Sequence, residues 1–205
     1  MVRDGIFYAL GAFAAGLVIA WLTHALAGVP FFVFGVFCLW FFRDPEREVP
    51  SGRVAVSPAD GKVMAVVEET PESTRVSIFL NIFDVHVNRT PIEGRITDVT
   101  YRRGRFLVAS KEVASAANEQ NSVTVEGDGT RIIFKQIAGL IARRIVFWKR
   151  VGDEVRRGER IGLMKFGSRM DVLFGPEWEI TVRPRDRVLA ASSVIARRRD
   201  HPQNE

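Results

Sequence analysis

"NSVTVEGDGTRIIFKQI", residues 121–137, is two β-rich runs joined by a tight turn. Val, Ile, Thr and Phe dominate both runs, and "GDG" at 127–129 is the short-range signal for a two-residue hairpin. The same grammar extends in both directions. "RVAVS" (53–57) and "GKVMAVVE" (61–68) are β-rich runs split by the turn "PADG" (58–61). "RVSIFLNI" (75–82) and "GRITDVTYR" (94–102) follow, and "ERIGLMKF" (159–166) and "WEITVRP" (178–184) close the series. "LVASKEVASAANEQN" (107–121) reads as a loop with a helical turn. The expected fold from Arg53 onward is therefore all-β, a barrel or a sandwich.

The N-terminus follows different rules. The 38 residues from Gly5 to Phe42 contain no Asp, Glu, Lys or Arg. A helix crosses a bilayer core with about 20 residues, so this run is too long for one ordinary span. Thr23, His24, Gly28 and Pro30 cluster in "THALAGVP", which predicts a break there. Gly5–Leu22 is then one span and Gly28–Phe42 a shorter one, together a helical hairpin that anchors the chain over residues 1–42. A hairpin leaves both ends on one side, and the flank "RDPERE" favours the cytoplasmic side of a cell membrane. A cleaved signal peptide ending at "ALA" (25–27) is the alternative. The second apolar run has no purpose in an exported mature chain.

Arg3 and Asp4 cancel, so the net charge of +5 belongs to residues 43–205. Beside a membrane segment, a basic domain means attraction to anionic headgroups. No aromatic-flanked basic motif of the RNA-binding kind is present, so no nucleic-acid partner is expected. Cys38 is the only cysteine, and His24, His86 and His201 are scattered. No disulfide framework and no metal site are expected. "ARRRDHPQNE" (196–205) reads as a disordered basic tail whose loss should leave activity intact, after a domain spanning residues 43–195.

Three stretches carry candidate chemistry. They are "SPADG" (57–61), "DVHVNRTP" (84–91) and "FGSR" (166–169). A Gly-Ser pair alone is a common turn. Ser168 gains interest because a serine hydroxyl becomes a nucleophile only beside a base. His86 is the only histidine in mid-domain and ionises nearest neutrality. Asp60 is placed to orient it, as the third member of a triad-like set. Arg89, Arg102, Arg103, Arg105 and Arg169 are candidates for a phosphate, since arginine matches it in a bidentate way. Phe166, Met170 and Phe174 are candidates for an apolar setting.

"VGDEVRRGERIG" (151–162) resembles the G-D-x-V-x-x-G hairpin of biotinyl and lipoyl domains, and "SPADGKVMAV" (57–66) resembles the strand pair that opens them. That resemblance implies a barrel-sandwich hybrid. It leaves open a membrane-anchored carrier or adaptor module that uses Lys165. Taken with the anchor and the three motifs, the chain from about Phe41 to Val182 more closely resembles the short-form phosphatidylserine decarboxylases.

The decarboxylase resemblance implies a proenzyme that cuts its own Gly167–Ser168 bond, giving a β chain (1–167) and an α chain (168–205). Ser168 would become a covalent pyruvoyl cofactor, which decarboxylates phosphatidylserine to phosphatidylethanolamine and CO2 through a Schiff base. The substrate partner would be a membrane lipid, and the resemblance is compatible with a homodimer. Longer members of the family carry two histidines three residues apart before a proline. The first aligns with His86 and the second position is Arg89, a donor rather than a base. Asp60 and Ser168 carry over directly, while the base remains open, with His86 as the substitute. Arg89 and Arg169 are the arginines assigned to the substrate.

Overall fold

The computed structural model describes residues 1–107, 109, 112–139, 144–165 and 167–199. Phe166, His201 and the rest of the segment 200–205 lie outside the described residues. The chain divides into two compact units, Met1–Glu46 and Arg47–Glu205.

The first unit is a pair of helices, α1 (Arg3–Leu22) and α2 (Ala25–Phe41). The break falls at Thr23–His24, within the "THALAGVP" cluster. Twenty residues rising about 1.5 Å each give α1 about the thickness of a bilayer core. By length and composition α1 is apolar enough to cross a membrane, and α2 is shorter. Small residues let the two backbones meet. A Cβ added to Gly28 would lie 2.5 Å from the Gly16 carbonyl oxygen.

The second unit is mostly β. Its strands are β1 (Val54–Val56), β2 (Gly61–Thr70), β3 (Ser73–Leu80), β4 (Val87–Arg89), β5 (Gly94–Arg102), β6 (Gln120–Gly127) and β7 (Thr130–Ile137). Then come β8 (Ile145–Phe147), β9 (Glu154–Val155), β10 (Arg160–Met164), β11 (Ser168–Phe174), β12 (Trp178–Ile180), β13 (Arg187–Val188) and β14 (Val194–Arg198). One short helix, α3 (Glu112–Ala117), precedes β6 in the stretch expected to hold a helical turn. Eight strands form one curled sheet in the order β13-β2-β3-β11-β7-β6-β5-β9. Two three-stranded sheets, β4-β10-β8 and β1-β14-β12, complete the unit.

The β6–β7 hairpin closes as its sequence predicts. Gly127 pairs with Thr130, and Asp128 and Gly129 both take positive φ, +49° and +65°. Two left-handed residues in a two-residue loop match the twist of the flanking strands.

Alternation sorts the large sheet into two faces. On β11, Met170, Val172 and Phe174 point inward and pack with Ile78, Val76, Phe134 and Val123 in the apolar core. Arg169 and Asp171 point the other way, yet both are fully buried. Arg169 Nε bonds Asp171 Oδ1 at 2.6 Å, and Ser115 of α3 donates to the same carboxylate at 2.7 Å. Arg75 stands 3.7 Å from Asp171 and bonds Glu69 at 2.5 Å.

Ser77 ties this network together, because its Oγ accepts from Arg75 Nη1 (2.6 Å) and Arg169 Nη2 (2.9 Å). Ser77→Ala removes one acceptor shared by two buried guanidinium groups. It is expected to cost about 1–3 kcal/mol, read as a lower urea midpoint with an unchanged slope.

The boundary of the expected tail shifts. Ala196, Arg197 and Arg198 belong to β14, which pairs with β1 and β12. Of the arginines that suggested a solvated tail, Arg197 is exposed and Arg198 has a partner. Arg197 lies opposite Glu179, and Arg198 bonds Asp128 at 3.0 Å. Truncation after Ile195 would therefore remove strand residues.

Candidate functional site

Ser168 opens β11, the strand hydrogen-bonded between β3 and β7. Its register partner is Leu80, and Met170, two residues on, faces Ile78 and Gln136. Cross-strand partners share a face, so Ser168 points to the inner, core side of the sheet. It is fully buried, and its Oγ has no hydrogen-bond partner among the described residues. Leaving a hydroxyl buried and unbonded costs free energy, so such an atom calls for an explanation. Gly167, just before it, has φ +63°, a left-handed conformation that glycine adopts without steric cost.

His86 lies between β3 and β4 and is 2% exposed. Its main-chain oxygen accepts from Met164 N at 3.2 Å, which fastens it to the end of β10 four residues before Ser168. Its Nδ1 lies 2.9 Å from the Asp84 carbonyl. A carbonyl only accepts, so Nδ1 carries the hydrogen. In the neutral ring Nε2 then holds the lone pair a base needs.

Asp60, between β1 and β2, is buried and accepts from Ala190 N (2.8 Å) and Arg47 Nη2 (2.7 Å). Burial pushes its carboxyl above the usual range. The Ala190 N–H and the Arg47 charge pull it back, and the Asp84 carboxylate pushes it up again. Asp84 thus connects the two motif residues, holding the His86 ring with its carbonyl and acting on Asp60 with its charge. The hydrogen bonds of the Asp60 side chain go to Ala190 and Arg47, and the His86 ring bonds the Asp84 carbonyl.

The two arginines assigned to the substrate are both buried. Arg89 donates from Nη1 to the Gly158 carbonyl at 3.2 Å, and Arg169 is held in the Asp171–Ser77 network. Arg102, Arg103 and Arg105 are exposed. Met170 and Phe174 are core residues. Among the described residues, no group of three or more His, Cys, Asp or Glu could hold a metal ion.

Three features lay outside the sequence motifs. A Cβ built on Gly139 would overlap the Gly167 carbonyl oxygen, so Gly139 is backed directly against that carbonyl. The residue before it is pinned. Ala138 O accepts from Asn118 Nδ2 (2.8 Å), and Ala138 N donates to Glu119 O (2.9 Å). The third is a chain of buried amides. Asn121 Nδ2 donates to Gln136 Oε1 (3.0 Å) and Gln136 Nε2 to Asn88 Oδ1 (2.9 Å). Asn88 Nδ2 ends the chain, buried and without a partner among the described residues. Gln136 faces Met170, so this polar end shares the inner face with Ser168.

Among the described residues, Ser168 is thus a buried serine without a hydrogen-bond partner, set after a left-handed glycine, with a histidine tied to the strand before it. The family model described as phosphatidylserine decarboxylase matches residues 34–196. The chain belongs to the phosphatidylserine decarboxylase family. A phosphatidylserine decarboxylase proenzyme of Solibacter usitatus (strain Ellin6076) is 67% identical over 200 residues, covering 98% of both chains. Proenzymes of the same description are 47% identical in Syntrophus aciditrophicus (strain SB), over 78% of this chain and 79% of that one. In Symbiobacterium thermophilum the identity is 44%, over 92% and 91%. The family model covers residues 34–196, and similarity to the Solibacter usitatus proenzyme extends over 98% of the chain.

Proposed function

We propose that this chain is a proenzyme that cuts itself between Gly167 and Ser168 and then decarboxylates phosphatidylserine to phosphatidylethanolamine. The observation that carries the proposal is the Ser168 hydroxyl, buried and unbonded beside the Gly167 carbonyl. His86 Nε2 takes the hydroxyl proton as general base. The oxygen attacks the Gly167 carbonyl carbon, the amide nitrogen leaves, and an ester joins Gly167 to the Ser168 side chain. Loss of the Ser168 α-proton then expels the Gly167 carboxylate and leaves dehydroalanine. Its enamine gains water and loses ammonia, which gives the ketone of a pyruvoyl group.

The site fits that group, since its precursor oxygen is buried and has no hydrogen-bond partner among the described residues. A pyruvoyl ketone supplies the electron sink that a decarboxylase otherwise takes from a separate cofactor. This chain's residues exclude water from it through the core around Met170 and Leu80, both fully buried. Arg89 and Arg169 serve the scaffold, and a lipid phosphate is left to the exposed arginines. The barrel-sandwich likeness of the 151–162 hairpin belongs to the same proposal. So does placement of the domain at the cytoplasmic face, for which the arginines after α2 are the support.

Gly139 sets where the scissile carbonyl sits. Gly139→Ala places a methyl group on the Gly167 oxygen and moves the carbonyl away from Ser168. A displacement near 1 Å is expected to slow cleavage about 10²-fold, measured as the half-time of chain splitting after synthesis.

The deciding experiment is intact-mass analysis of the purified wild-type protein on a denaturing separation. Two chains, 1–167 and 168–205, with no free α-amine on the smaller, are expected. The protein should then release CO2 from phosphatidylserine vesicles. A single uncut chain would refute the proposal, and a mass increment on Lys165 would point to the carrier alternative.

A further inference from the structure

We infer that the turn Asn81–Asp84, with the cation pair beside it, docks the catalytic unit onto an anionic lipid surface. The inference rests on the proposed function only for its substrate.

The turn is built from its polar ends. Asn81 N donates to Asp84 Oδ2 (2.9 Å), Phe83 N to Asn81 Oδ1 (2.7 Å) and Asp84 N to Asn81 O (3.1 Å). These hydrogen bonds use no side chain of the two central residues. The central residues are Ile82 and Phe83, 39% and 69% exposed. Single exposed apolar residues are ordinary on any surface. Two bulky ones at the apex of a turn closed by their neighbours are a different matter, because the hydrogen bonds hold them outward.

Charge gives a second, independent observation. Arg187 on β13 lies directly opposite Lys62 on β2. Like charges at such a pair are unfavourable. Among the described residues Asp84 answers only one of them, bonding Arg187 at 2.5 Å, and Arg187 remains 65% exposed. That ion pair clips the cations to the apolar turn. Leu189, two residues further, is 48% exposed. An apolar tip flanked by cations that lack enough counter-charge fits an anionic lipid surface, with the rings among acyl chains and the cations at headgroup level. The chain also carries an apolar helix long enough, by length and composition, to cross a membrane. The turn leads directly into His86, so docking would deliver lipid beside the site.

The test uses full-length protein in vesicles of phosphatidylcholine with or without phosphatidylglycerol, an anionic lipid that is not the substrate. A nitroxide on Phe83→Cys, with Cys38→Ser, is expected to gain oxygen collisions when the anionic lipid is present. It should lose collisions with a water-soluble nickel chelate, and Lys62→Gln should weaken the change. Equal nickel access with and without phosphatidylglycerol overturns the inference.

In a second arm, Ile82→Ser with Phe83→Ser should lower turnover of vesicle phosphatidylserine on the order of 10²-fold, the affinity of two apolar side chains. Turnover of a dispersed short-chain analogue should stay at the wild-type rate. Equal loss on both substrates would mean damage to the fold and would also overturn the inference. If the wild type turns over neither, the proposed function fails, and the nitroxide arm still decides the docking.

Discussion

Ser168→Ala is expected to leave one uncut 205-residue chain that releases no CO2 from phosphatidylserine, and to be at least as stable as an uncut wild-type chain. The two halves of that expectation come from one atom. Ser168 Oγ is the only atom of residue 168 that can attack the Gly167 carbonyl, so its loss stops the first bond exchange. No neighbouring group substitutes, because the ketone must form on the same residue. Stability behaves differently. Most buried serines hold something in place, and their removal strands a partner. Ser168 Oγ has no partner among the described residues to strand, and a buried polar atom without one is a cost to the folded state. Removing it is therefore neutral or stabilising. Intact mass reads the first half and thermal unfolding the second. A variant that stays uncut but unfolds several degrees lower would show that the hydroxyl had a structural duty, and the case for a poised nucleophile would fall with it.

The sequence showed the strands and the pair of N-terminal apolar helices because both follow from local physics. The Asp128–Gly129 turn and the helical break at Thr23–His24 are written in adjacent residues. It also marked Asp60, His86 and Ser168, which lie in short motifs. What it hid is long-range. Gly139 lies 28 residues from Gly167, and nothing in "QIAGLIARRI" says that its missing side chain makes room for another glycine's carbonyl. Asn118 and Gln136 are polar letters in polar or alternating stretches, and only burial shows that they are structural. Arg169 misled for the opposite reason. Beside a candidate nucleophile, an arginine suggests a substrate anion. Strand alternation sends it to the other face, where Asp171, also fully buried, claims it. Arg198 misled in the same way, since a run of arginines looks solvated until Asp128 is seen bonded to it.

His86→Gln is the variant expected to separate the base from its setting. Glutamine can still donate to the Asp84 carbonyl, which keeps the hydrogen bond seen at 2.9 Å. It cannot take a proton. Its main-chain link to Met164 is unchanged, since that bond uses the backbone oxygen. If His86 Nε2 accepts the Ser168 proton, cleavage should slow by about 10²–10⁴-fold, the usual worth of a positioned general base. Unfolding of His86→Gln and of the wild-type residue, compared in the Ser168→Ala background, should nearly coincide, because both chains are then uncut. Asp60→Asn serves as the contrast. Asp60 bonds Ala190 and Arg47 rather than the ring, so its neutralisation should act mainly on stability, by leaving Arg47 without its buried partner. Rapid cleavage in His86→Gln together with blocked cleavage in Asp60→Asn would transfer the base to Asp60, whose carboxyl burial already pushes upward. Slow cleavage in His86→Gln with the fold intact would establish that one histidine, oriented by a main-chain carbonyl, performs a task that longer members of the family divide among more residues.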